Sequence, residues 1–93
     1  MNIEFENIDK RGSFFIEENG ERLAELAFRW VENGNMAIDH TDVNEKLAGK
    51  GIGKQLVRRA VEMAREEKFK IKPYCPFAKA VIEKTKEFQD VLL

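Results

Sequence analysis

The apolar residues of this chain keep a period of two through its first half and helical spacing from Ile52 onward, with Gly49-Lys50-Gly51-Ile52-Gly53-Lys54 as the joint. That switch constrains the fold more than any other feature. Alternation buries one face of a sheet and helical spacing buries one stripe of a helix, so the second half must lie on the first. Ile3 and Phe5 alternate with Glu4 and Glu6 in a first strand over Ile3 to Ile8. Gly12 reads as the break behind it, and Ser13 to Glu17 as a second strand with Phe14 and Ile16 on one face. Asn19-Gly20 supplies a hairpin turn, because both residue types tolerate positive φ. From Arg22 to Val31, Ala24, Leu26, Phe28 and Trp30 form an apolar face, while Glu25 and Arg29 mark a wetter one. Asn33-Gly34 is a second turn signal, and Met36, Ile38 and His40 follow at alternate positions. An antiparallel meander of three or four strands results.

Beyond the joint, Ile52, Leu56, Val57, Ala60, Met63 and Ala64 predict an amphipathic helix through about Glu67. Phe69 to Ile71 is a short strand halted by Pro73 and Pro76. A second helix starts at Pro76, a favoured first helical residue, with Phe77, Ala80, Val81 and Lys84 at helical spacing. Strand, crossover helix and strand imply a right-handed parallel pair. The predicted fold is α/β (α+β layered): an N-terminal antiparallel meander, then a βαβ unit whose helix opens on the glycine loop. With 93 residues the chain is one domain, 1–93, near the lower size limit for a single core. A net charge of −1 gives no bulk attraction to nucleic acid or an anionic membrane, and no apolar run approaches membrane-spanning length. A single cysteine excludes an internal disulfide and fits a reducing cytoplasm.

Glycines at alternate positions let backbone N–H groups turn toward one point, where the following helix adds its orphan amides and positive dipole end. Such a device binds an anion, most often a phosphate. Two nucleotide motifs are excluded. A Walker A loop needs Gly at 48 and Ser or Thr at 55, where the chain has Ala48 and Gln55. A dinucleotide fingerprint needs a further glycine at the place of Leu56. Charge placement favours a ligand over a purely structural turn. Lys50, Lys54, Arg58 and Arg59 gather at the helix start while Glu62, Glu66 and Glu67 crowd its end. That order opposes the helix dipole at up to ~1 kcal/mol per misplaced charge. Arg58–Glu62 and Glu62–Arg65 pairs recover only a few tenths each.

Cys75 stands in Pro73-Tyr74-Cys75-Pro76. At the N-cap of the second helix its thiolate would be favoured, although a lone cysteine is equally often a small buried apolar residue. His40 follows Met36 and Ile38, which turns it toward the interior or a cleft. The two parallel strands should end on the same side of the sheet, where such folds place ligands, so His40, the loop and Cys75 could converge. A zinc site is not expected, since one His and one Cys leave the other ligands to carboxylates without recognisable spacing.

The constellation His40-Thr41-x-Val43, Leu47-x-Gly49-Lys50-Gly51-Ile52-Gly53, Leu56-Val57 and Ile71-x-Pro73-x-Cys75-Pro76-Phe77 resembles a known group. It is similar to the very small acetyltransferase-like branch of the GNAT (N-acetyltransferase) superfamily. Gly12-x-Phe14 and Gly20-x-x-x-Ala24-x-Leu26 extend the resemblance over nearly the whole chain. It implies a curved mixed sheet whose two central parallel strands splay apart to admit acetyl-coenzyme A, used as a cosubstrate. It further implies that Gly49, Lys50, Gly51, Ile52, Gly53 and Lys54 cradle the pyrophosphate, that Thr41 to Val43 line the pantetheine arm, and that Cys75 and His40 are the catalytic pair. Ala48 departs from the Arg or Gln usual in the wider superfamily, and the early helices that shape the acceptor pocket of larger relatives are missing. The expected activity is acetyl transfer to an amine: a small amine, a polyamine or a protein lysine. The alternatives are a non-catalytic acyl-coenzyme A binding module and an interaction domain that docks a partner through a strand edge or the tail Val91-Leu92-Leu93.

Overall fold

The computed structural model describes the whole chain, Met1–Leu93. Strands β1 (Glu4–Ile8), β2 (Arg11–Glu18), β3 (Glu21–Trp30) and β4 (Met36–Val43) are followed by helix α1 (Ile52–Glu67), strand β5 (Ile71–Pro73) and helix α2 (Pro76–Lys84). A 3-10 segment, Lys86–Val91, closes the chain. The strands form one sheet in the order β1-β2-β3-β4-β5. Its first four strands are antiparallel, and β4 and β5 are parallel, with Met36 opposite Ile71 and Ile38 opposite Pro73. The period switch in the sequence is therefore the boundary between meander and βαβ unit. No helix is long and apolar enough to cross a membrane.

The helices cover one face only. Phe14, Ile16, Leu26, Phe28, Met36 and Ile38 are buried there against Leu56, Val57 and Ala60 of α1 and Ala78 and Ile82 of α2. Burying side chains of this size stabilises the fold by about 1.5–3 kcal/mol each. An aromatic chain runs across the sheet: Phe5 to Phe14 at 5.1 Å, Phe14 to Phe28 at 5.7 Å, Phe28 to Trp30 and Trp30 to Phe69 at 5.2 Å. The predicted turns hold. Asn19 and Gly20 have φ of 52° and 80°, and Asn33 and Gly34 have φ of 63° and 73°.

Four local expectations need correction. Gly12 does not break a strand; it lies within β2, and the turn falls at Asp9-Lys10, where Asp9 has φ of 61°. A Cβ at Gly12 would collide with the Glu6 carbonyl and come within 2.7 Å of Phe28 Cζ, so that glycine admits a close approach. The short strand starts at Ile71 and includes Pro73, while Phe69 caps the aromatic chain before it. In α2 the buried residues are Ala78 and Ile82, and Phe77 is exposed. The apolar tail is already docked: Phe88 and Val91 are buried, and Leu93 N–H donates to the Ile71 carbonyl at 3.0 Å. The tail thus covers the outer edge of β5, which removes it as a free docking segment.

Candidate active site

The glycine joint leaves its donors open. Gly49 and Gly51 have φ of 78° and 70°, a region costly for any residue with a Cβ, while the space where such a Cβ would point is empty. Conformation, not crowding, requires glycine at these two positions. Gly51 is the N-cap of α1 and its carbonyl accepts from Gln55 N–H at 3.1 Å. None of the six main-chain N–H groups from Gly49 to Lys54 donates to an acceptor within the protein. Ile52 and Gly53 are buried, whereas Lys50 and Lys54 are exposed and outside every ion pair. The predicted Arg58–Glu62 and Glu62–Arg65 pairs do not form; Arg65 turns to Asp90 instead. The misplaced charges along α1 are thus less compensated than the sequence suggests.

β4 and β5 part beside this loop. Their pairing stops at Ile38 and Pro73, and the Ile38 carbonyl accepts from both Tyr74 N–H (3.0 Å) and Cys75 N–H (3.1 Å). Beyond it, Asp39 to Val43 have no strand partner on the β5 side. Cys75 is the N-cap of α2 with Pro76 in the first helical position, as the sequence implies. It is 5% exposed, and its thiol donates to Thr41 Oγ1 at 3.6 Å. Val43, at the end of β4, is exposed.

His40 lies elsewhere. Ala27 faces His40, but Phe28 faces Ile38, so Asp39 is the extra residue of a β-bulge. One extra residue reverses the alternation. His40 therefore leaves the apolar face of Met36 and Ile38 and points to the helix-free side, with 57% of its side chain exposed. There it lines a cavity of about 910 Å³ with Glu6, Ser13, Glu25, Ala27 and Asp39. The cleft reading holds and the interior reading does not. Thr41 and Cys75 meet on the helix side, while His40 faces the other side and makes no hydrogen bond with either. Of the carboxylates near His40, Asp39 accepts from Arg29 at 3.0 Å and Glu25 from Arg22 at 2.7 Å, while Asp42 Oδ2 lies 3.8 Å from His40 Nε2. Sequence reading named the loop, His40 and Cys75 as candidates, and the fold sets His40 on the opposite side of the sheet from Cys75. The same reading set Phe77 on the apolar stripe of the second helix, whereas its exposed ring lies over Gly53 so closely that an added Cβ would come within 2.7 Å of Cζ.

A loop of open amides at a helix start, beside two parallel strands that separate, is an arrangement that can be compared with known proteins. The sequence profile of the GCN5-related N-acetyltransferases matches residues 13–91. The chain belongs to that family. Over 99% of its length it is 41% identical to a GCN5-like protein from Staphylococcus aureus solved by NMR, of which it covers 89%, with a TM-score of 0.73. A ribosomal-protein-alanine N-acetyltransferase from Brucella melitensis shares the fold at 20% identity and a TM-score of 0.67, over 83% of this chain and 62% of that one. An IAA acetyltransferase from Bacillus cereus is 26% identical, with a TM-score of 0.61, over 81% of this chain and 53% of that one. Among functionally curated proteins no sequence matches. The mixed sheet implied by the resemblance is observed, with five strands, but its parallel pair is not central, because β5 is the last strand of the sheet.

Proposed function

We propose that this acetyltransferase-family protein takes acetyl-coenzyme A as donor and an amine as acceptor: a small amine, a polyamine or a protein lysine. The observation that carries the reading is the run of six uncommitted N–H groups from Gly49 to Lys54, which includes two unpaired lysines, Lys50 and Lys54. An isolated turn would gain nothing by leaving so many donors open, whereas a diphosphate would take charge-assisted hydrogen bonds from them. Thr41 and Val43, on the length of β4 that has no partner on its β5 side, would line the pantetheine arm. The lone cysteine supports a cytoplasmic location.

In the chemical step the amine nitrogen attacks the thioester carbonyl from the helix-free side, and His40 accepts its proton, directly or through water. Imidazole suits this because its proton affinity lies near neutrality. The C–S bond then breaks and its electron pair goes to sulfur. Cys75, on the helix side, donates its proton to that thiolate and is reprotonated from solvent. Direct transfer is favoured over a covalent acetyl-cysteine because the Cys75 thiol is buried and engaged with Thr41. Incubating the protein with acetyl-coenzyme A and weighing it by mass spectrometry tests this: no acetyl adduct on Cys75 is expected, and a transient one would establish the covalent route. Turnover on polyamines or lysine peptides supports the enzyme. Coenzyme A binding without turnover on any amine would leave a binding module.

A further inference from the structure

The chemical step above needs the His40 imidazole on the helix-free side, yet no hydrogen bond holds the ring there. Asp42 Oδ2 stands 3.8 Å from Nε2, too far to count as one. The ring is aimed by the backbone, through the extra residue Asp39. That residue is supported from one side only, since β5 pairs no further along β4 than Ile38. We propose that Arg29 is a positioning residue for His40: its guanidinium ties down the Asp39 carboxylate and so fixes the bulge that sends the imidazole to the helix-free side. The inference rests on the reading of His40 as the base.

The contacts of Arg29 carry it. Arg29 lies two residues beyond Ala27 on β3 and shares its helix-free face. Its Nε donates to both oxygens of Asp39, at 3.1 and 3.0 Å. Its guanidinium carbon lies 5.4 Å from the centroid of the Tyr74 ring. Tyr74 directly follows β5, and its N–H donates to the Ile38 carbonyl at 3.0 Å. One side chain therefore joins β3, the extra residue of β4 and the first residue after β5, at the point where the two parallel strands part. A planar cation suits this place better than an ammonium, because its edge meets a carboxylate while its face meets a ring. Asp39 and His40 line the same cavity, so a shift of the one carries the other with it. The side chains of Arg29 and Asp39 are 41% and 36% exposed, so their pair adds little to the stability of the fold. Its effect is on geometry.

His40 is the only histidine of the chain, so its ring protons are unambiguous in an NMR spectrum. Ala27 lies opposite it across the strands, and the wild type should show a nuclear Overhauser contact between the imidazole and the Ala27 methyl. Arg29→Ala should weaken that contact roughly twofold or more as the ring samples other orientations. Arg29→Gln should do the same, and keeps part of the stem in case the alanine variant is unstable. With acetyl-coenzyme A and an amine, both variants should lose roughly 10- to 100-fold in kcat, with the KM for acetyl-coenzyme A changed less than about twofold. Asp39→Ala should match them. The double variant Arg29→Ala, Asp39→Ala should be no worse than either single one, because the same tie is lost in each. A methyl contact absent from the wild type or unchanged in the Arg29 variants, a loss confined to the KM of the acceptor, or losses that multiply in the double variant would overturn the inference. A wild type that turns over no amine would overturn the proposed function instead, and the imidazole–methyl contact would then decide on Arg29 alone.

Discussion

The two ends of α1 are built on opposite principles. At its carboxyl end the main chain is capped and the residues beyond it are tied down, although Glu66 and Glu67 stand outside every ion pair. Lys68, with φ of 62°, forms a left-handed cap whose N–H donates to the Ala64 carbonyl, and Phe69 N–H donates to the same oxygen. Arg65 grips Asp90 with two bonds of 2.9 and 2.7 Å, and Lys70 reaches the Asp90 carbonyl at 2.7 Å. At its amino end six N–H groups and the cations Lys50, Lys54, Arg58 and Arg59 have no protein acceptor. One helix carries both ends, so the difference is not one of packing quality. The chain satisfies itself where it must hold together and stays open where the proposed diphosphate would bind.

The strongest way to break this comparison is to disorganise the open end. Gly51→Val puts a β-branched residue at a φ of 70°, a strain of about 1–2 kcal/mol that the loop escapes by turning its amides away. Losing two charge-assisted bonds to a diphosphate should weaken coenzyme A binding on the order of 100-fold. The melting temperature should fall only modestly. A variant that binds coenzyme A as the wild type does would show that these amides are not the anion site.

The closed end responds differently. The hydrogen bonds from Arg65 hold the Asp90 carboxyl below its ordinary value. A carboxyl lowered in the folded state contributes stability that is complete above the unfolded value, about 3.9, and is lost as pH falls through the folded one. Asp90→Asn should therefore melt below the wild type at pH 7, with the gap narrowing as pH drops below about 4. Its affinity for coenzyme A should be unchanged. Both groups are exposed, so this effect is smaller than that of the loop. A gap that persists undiminished at pH 2 would mean that packing, not the ion pair, holds the tail.

What could be read in advance follows the same division between local and distant causes. The hairpin turns, the glycine loop and the Cys75–Pro76 cap are set by residues adjacent in sequence, and all three stand in the fold. The orientation of His40 was not legible, because the Asp39 bulge depends on how β3 pairs with it. Gly12 owes its place to Glu6 and Phe28, and Arg65 finds Asp90 across 25 residues. Such partners emerge only once strands and tail are brought together. The site was legible as a set of residues but not as two sides of a sheet.

The finest distinction lies within the glycine joint itself. Gly49 and Gly51 are required by their φ, but Gly53 has ordinary helical geometry and is small because Phe77 lies on it. Gly53→Ala removes the entropic cost of glycine inside a helix, about 0.5–1 kcal/mol, and keeps the N–H that a phosphate would use. Against this gain, the new Cβ must push aside the far end of an exposed aromatic ring. The two terms are similar in size, so stability should change by less than about 1 kcal/mol and coenzyme A affinity by less than about twofold. A large loss of affinity with stability intact would mean that the Phe77 ring, rather than the amides alone, shapes the ligand's seat at the start of α1. The open end would then be defined by a side chain as well as by the backbone.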